Sequence, residues 1–102
     1  MKTSAVTQVQ TLEQLVSLLK RFGEIHWSRK IEDVLSFLRK DDIYGAERFI
    51  TYFGDMGLLN DVWLCDDNGH SVPSEMQQKI NAEFDALKLR AWNIANEVTR
   101  NI

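Results

Sequence analysis

The chain has 102 residues and a mass of 11.8 kDa, so we expect one domain spanning residues 1–102. With 44% hydrophobic and 26% charged residues, the composition is that of a globular protein and excludes a disordered or fibrous chain. No apolar run approaches the roughly 18 residues of a membrane span, the start lacks a signal-peptide stretch, and the single cysteine excludes an internal disulfide. These features predict a soluble cytoplasmic protein with no membrane partner.

The net charge of −3 is unevenly distributed along the chain. Residues 1–40 carry seven Lys/Arg and four Asp/Glu, whereas residues 41–75 carry only Arg48 against eight acids. Residues 76–102 carry four bases and three acids. An acidic middle disfavours nucleic acid and favours a basic protein surface as partner, although acids that merely solvate loops and helix starts would give the same pattern.

Three amphipathic helices are predicted in the first half, because apolar side chains recur at helical spacing over residues 5–22, 24–40 and 43–53. A capping-box pattern begins at Thr11 and places a helix start there or earlier. We expect Gly23 to end the first helix and Asp42 to cap the third.

The stretch from residue 55 to residue 72 has the least helical pattern of the chain. Asn68-Gly69 is a pair that favours tight hairpins, and the short runs Val62–Cys65 and His70–Val72 flank it. We therefore expect a small β-ribbon or an irregular elbow here, which would have to lean on the helices.

One long helix is predicted at 74–99, after Pro73 and a second capping-box pattern. Its apolar residues recur at steps of four or three: Met76, Ile80, Phe84, Leu87, Ala91, Ile94 and Val98. The predicted fold class is therefore all-α, a four-helix bundle with a long C-terminal helix and a short β-ribbon or irregular elbow before it.

No constellation of residues supplies a nucleophile with a base or a closed set of metal ligands, so we expect no enzyme, no catalytic residue, no metal and no cofactor. The enzymatic alternative is a metal-dependent hydrolase built on His26, Asp61, Cys65 and His70. The two acids that follow Cys65 would disfavour a thiolate, which favours a structural cysteine.

Trp63 lies among acids in the least helical stretch, an arrangement typical of a protein-binding hot spot. The predicted partner-binding residues are Asp55, Asp61, Trp63, Asp66 and Asp67. The structural alternative is that Trp63 packs the connection onto the bundle. On this basis we expect a cytosolic protein-binding module whose partner has a basic surface.

Two other classes of function stay open. A self-associating scaffold, and hence a homo-oligomer, would use the exposed side of the last helix around Leu89 and Trp92. A nucleic-acid accessory protein would use the basic doublets Lys20-Arg21, Arg29-Lys30 and Arg39-Lys40. Two of these doublets end predicted helices, where cations are expected in any case, so nucleic acid is the weaker expectation.

A sequence pattern extends from Gly23 to His70. It consists of Gly23, His26-Trp27, Leu35, Arg48-Phe49, Phe53-Gly54-Asp55-Met56-Gly57-Leu58-Leu59-Asn60-Asp61 and Asn68-Gly69-His70. The pattern resembles a family of small uncharacterised bacterial helical proteins with a Phe-Gly-x-Met-Gly-x-Leu-Asn-Asp core. Asp55 and Leu58 stand where that family has glycine and serine. In size and helical make-up the family is similar to immunity proteins, so the resemblance implies an inhibitor that neutralises a bacterial toxin.

Overall fold

Four α-helices are present in residues 3–54 and 58–100, the parts of the chain that the computed structural model describes. They are α1 (Thr3–Arg21), α2 (Ile25–Leu38), α3 (Tyr44–Ile50) and α4 (Gln77–Arg100). Three 3₁₀ turns follow α3, at Leu59–Asp61, Asp66–Asn68 and Ser74–Met76. The predicted all-α bundle with a long C-terminal helix is confirmed.

The core lies between the helices, because α1 packs against α2 and α4, and α3 packs against the same two helices. Apolar side chains from every helix and from the α3–α4 connection are fully buried in it: Leu12, Leu15, Leu19, Ile31, Val34, Leu35, Phe49, Leu59, Leu64, Val72 and Phe84. Across the described ranges, no helix has the length and apolar character needed to cross a bilayer.

The predicted ends of the helices are close to the observed ones. Gly23 ends α1 with a φ of 85°, the left-handed conformation that glycine adopts most readily. Ile43, and not the predicted Asp42, occupies the N-cap position of α3; the Asp42 Oδ1 accepts the N–H of Tyr44, the first residue of the helix, at 3.0 Å. Thr11 is not a cap, because α1 begins eight residues earlier; its buried Oγ1 donates to the Thr7 carbonyl within the helix.

The β-ribbon predicted from Val62–Cys65 and His70–Val72 is wrong, since the described residues of this stretch form no strand. The carbonyl of Cys65 accepts the N–H groups of both Asn68 and His70 at 3.1 Å. These short-range hydrogen bonds close a 3₁₀ turn, whereas a β-hairpin would need a ladder of hydrogen bonds between two strands. The connection is the irregular elbow of the alternative prediction.

Candidate functional site

The candidate site is the connection between α3 and α4, which we call the elbow and define as residues 58–73. The elbow inserts several side chains into the interior: Leu59, Leu64, Cys65, His70 and Val72. Between these buried positions it directs Trp63 and carboxylates toward solvent. An irregular segment with this many buried residues needs partners for its backbone polar groups, and three sets of hydrogen bonds supply them.

Asn81 on α4 holds the middle of the elbow. Its Oδ1 accepts the N–H of Leu64 at 2.9 Å, and its Nδ2 donates to the carbonyl of the same residue at 2.9 Å. The Nδ2 group also donates to the Gln77 carbonyl within α4. Because Asn81 is 1% exposed and Leu64 is fully buried, water has no access to replace these bonds.

His70 joins the elbow to the start of α2. Its Nδ1 accepts the N–H of Cys65 at 3.2 Å, which places the ring proton on Nε2, and Nε2 donates to Glu24 Oε1 at 3.2 Å. Glu24 Oε2 in turn accepts the N–H of Trp27 and so caps α2. One carboxylate therefore serves both a helix start and a contact 46 positions away in the chain.

The turn between α1 and α2 supplies the third set of contacts. Ser71 N–H donates to the Phe22 carbonyl at 2.9 Å. A Cβ at Gly23 would lie 3.8 Å from this same Ser71 nitrogen, so the two backbones run side by side. Within the elbow, Asp66 Oδ1 accepts the N–H of Val72 at 3.2 Å. The end of the elbow is therefore fixed against the α1–α2 turn.

The surface that the elbow presents to solvent is acidic and contains one large aromatic side chain. We call Asp61, Trp63, Asp66 and Asp67 the acidic face; Trp63 is 43% exposed, and the three aspartates are exposed as well. No lysine or arginine occurs in the sequence between positions 48 and 79. Asp55, the fifth predicted contact residue, lies outside the described residues.

The aspartates of the acidic face differ in what they do for the fold. The carboxylate of Asp66 is a structural acceptor as well as an exposed charge. Asp67 forms no hydrogen bond or ion pair with any residue that the structure describes. Asp61 ends a 3₁₀ turn and interacts within the fold. Only Asp67 is therefore available for charge reversal without a structural effect.

Cys65 and His70 do meet, but through the Cys65 backbone N–H and not in a set of metal ligands. His26 is exposed on α2, where its ring lies in a T-shaped contact with that of Trp27. In the described ranges, no three His, Cys, Asp or Glu side chains cluster closely enough to hold a metal ion. Both ring nitrogens of His70 are engaged, Nδ1 with the Cys65 N–H inside the elbow and Nε2 with Glu24 at the start of α2.

The basic doublets of the first two helices are partly neutralised by acids. Lys20 Nζ lies 2.7 Å from Glu32, and Arg39 lies 3.2 Å from Glu13, so both ion pairs connect α1 with the α2 region. Lys30 Nζ lies 5.3 Å from the centre of the buried Trp27 ring, in cation–π geometry.

Sequence reasoning missed the two residues that hold the acidic face in place. Glu24 directly precedes α2, which is a signal for a capping role but not for its contact with His70. Asn81 interrupts the buried face of α4 with a polar side chain, next to Ile80 and Phe84. A buried asparagine at such a position indicates that its side chain forms hydrogen bonds with a polar group outside its own helix.

The fold and the elbow define a small helical-bundle protein whose irregular connection is held in a single arrangement by buried polar contacts. The chain belongs to the family described as Domain of unknown function (DUF6966), whose model matches residues 20–73, more than half of the chain. No curated protein and no solved structure matches the chain. The matched range includes both members of the Glu24–His70 contact and the whole acidic face. Membership of an uncharacterised family is confirmed; the family's core motif and bacterial origin stay predictions.

Proposed function

We propose that this protein is a protein-binding module that uses its acidic face to bind, and thereby inhibit or regulate, a partner with a basic surface. The observation that carries the proposal is the exposure of Trp63 directly before Leu64 and Cys65, which are buried and hydrogen-bonded. Tryptophan is the residue type most enriched among binding hot spots, and its indole combines apolar area with a polar N–H.

The anchoring of the elbow favours binding because it reduces the conformational entropy that association would otherwise remove. The Trp63 carbonyl accepts a hydrogen bond from Asn68 at 2.9 Å, and the next residue is held by Asn81. A face that is already ordered loses less freedom on binding than a mobile loop of the same composition.

The charges of the acidic face indicate the kind of surface that a partner would need. Carboxylates surround Trp63 in sequence, and the chain has no cation from residue 49 to residue 78. Such a patch speeds encounter with a cationic surface, since complementary potentials raise association rates and make them sensitive to salt. The partner that fits is a basic protein domain with an apolar pocket for the indole.

Within this class we propose an immunity protein that neutralises a basic toxin domain in the bacterial cytoplasm. The small helical bundle and the family resemblance from Gly23 to His70 support this narrower proposal. An immunity protein would be encoded beside its toxin, so the product of the adjacent gene is the first partner to test.

The experiment measures binding kinetics between the purified protein and the toxin domain encoded next to it. Asp67→Lys should slow association and weaken its salt dependence, because the residue contributes charge and no contact within the described fold. Trp63→Ala should mainly speed dissociation, with a loss of about 2 kcal/mol or more in binding free energy.

Matched controls come from other surfaces of the same chain. Trp92→Ala removes a tryptophan of similar exposure, 37%, from α4, and Asp33→Lys reverses an exposed charge on α2. Both should leave binding unchanged. If the control variants weaken binding as much as the acidic-face variants do, or if none of them affects it, the acidic face is not the binding surface.

A further inference from the structure

The outer side of α4 carries a second exposed pattern, separate from the acidic face. Ala82, Ala86, Leu89 and Asn93 follow one another at steps of four, three and four residues, and all four are exposed. Among the residues that the structure describes, Leu89 is the most exposed large hydrophobic side chain, at 61%. This spacing is that of the a and d positions along a coiled-coil seam, whereas the bundle core uses the opposite side of α4.

Charged residues border this seam on one flank. Glu83, Arg90 and Glu97 are spaced by seven residues, and Lys79 lies in line with the seam itself. Within residues 3–54 and 58–100, none of these four side chains forms an ion pair. The charges of Glu83, Arg90 and Glu97 alternate in sign along the flank. Two copies of α4 could therefore form ion pairs with each other, because each copy carries both an acid and a base.

We propose that α4 pairs antiparallel with α4 of a second copy of this chain, around a twofold axis that passes α4 between residues 87 and 88. In this register Leu89 packs on Ala86 of the other copy, and Ala82 faces Asn93. Each large side chain then meets a small one, which lets the helices approach closely and fills the seam.

The charges select the antiparallel orientation. A twofold axis of this kind brings the same flank of both helices together, so Glu83 lies beside Arg90 of the second copy, and the symmetry repeats the contact. Their offset along the helix axis is two residues, or about 3 Å at 1.5 Å per residue. Lys79 is placed next to Glu97 in the same way.

In a parallel pair of α4 helices, each seam residue would face the same residue of the second copy. Lys79 would then face Lys79, and the seam would alternate between a wide layer at Leu89 and a narrow one at Ala86. Like charges opposed across a helix interface are destabilising, and uneven layers leave voids. The sequence of α4 therefore fits a second copy in one orientation and not the other.

The experiment is a charge exchange followed by sedimentation velocity over a concentration series. Glu83→Arg and Arg90→Glu should each weaken the homodimer about tenfold, because each change turns two symmetric attractions into repulsions. The double variant restores both attractions and should dimerise like the unchanged chain. A mixture of the two single variants should form a heterodimer more stable than either homodimer.

Two further variants separate this interface from a general effect of charge or of folding. Arg29→Glu makes the same charge change on the exposed surface of α2 and should leave dimerisation unchanged, while Leu89→Ala should weaken it without altering charge. Thermal melts monitored by circular dichroism establish that every variant is folded. A chain that stays monomeric at all concentrations, or a dimer that the single charge reversals do not weaken, overturns the proposal. A double variant that fails to recover overturns the antiparallel register.

Discussion

Replacing Asn81 with alanine tests whether the elbow is held by α4 or only rests on it. The substitution removes the acceptor of the Leu64 N–H and the donor to the Leu64 carbonyl, both at 2.9 Å. Because Leu64 is fully buried, each of these backbone groups is left without a partner, at about 1–2 kcal/mol each. We expect a total loss of about 2–4 kcal/mol in the free energy of unfolding.

The assay is urea unfolding followed by far-UV circular dichroism. With a slope of roughly 1–2 kcal/mol/M for a domain of this size, the expected loss lowers the midpoint by about 2 M. The matched control is Gln78→Ala, which removes an exposed side-chain amide of the same helix outside the proposed seam and should change the free energy of unfolding by no more than about 0.5 kcal/mol. If Asn81→Ala loses no more than Gln78→Ala does, the elbow is not anchored by this side chain.

The same assay applies to four further substitutions. His70→Ala should lower the free energy of unfolding by about 2–4 kcal/mol, because it leaves the buried Cys65 amide and the Oε1 atom of the largely buried Glu24 carboxylate without their partner. Gly45→Ala should lower it by about 1–3 kcal/mol, because the new Cβ would lie 2.8 Å from the Val34 carbonyl oxygen. Asp66→Ala should lose about 1 kcal/mol and Asp67→Ala almost nothing, since only the first carboxylate accepts a backbone N–H.

Conservative variants provide the controls for two of these substitutions. Glu24→Gln keeps one of the two hydrogen bonds of the carboxylate, so its loss should be smaller than that of His70→Ala. Asp66→Asn retains the oxygen that accepts the Val72 N–H and should be close to neutral. A loss at Asp66→Asn as large as at Asp66→Ala would contradict the role assigned to that hydrogen bond.

The helices were predictable because their signals are local. The step of four and three along α4 places Ile80, Phe84 and Ala91 on one face, and these residues are buried as the pattern predicts. The turns were also predictable from local sequence, because glycine favours positive φ and both Gly23 and Gly69 adopt it. A side chain's periodicity and a glycine's backbone freedom can be deduced without knowing what the rest of the chain does.

The elbow was predictable only in part, because its backbone partners are distant in sequence. Asn68-Gly69 does form a turn, but Ser71 N–H donates to Phe22 where a β-ribbon would have required a partner in the opposite strand. Trp63 and Asp67, two of the predicted partner-binding residues, are exposed, and their role in binding stays a prediction. The hydrogen bond between Asp66 and the Val72 amide was not predicted, since nothing near Val72 in the sequence indicates that its amide lacks another acceptor.

The contact between Glu24 and His70 makes the acidic face a property of the complete fold. Its two members are 46 positions apart, so the face forms only after the α1–α2 turn, the elbow and α4 have come together. A partner that binds this face therefore binds the native state and not the unfolded chain. By thermodynamic linkage, a partner present at 100 times its Kd adds about 2.7 kcal/mol to the free energy of unfolding. Occupancy of the acidic face will therefore raise the melting temperature of the entire bundle, including helices that the partner never touches.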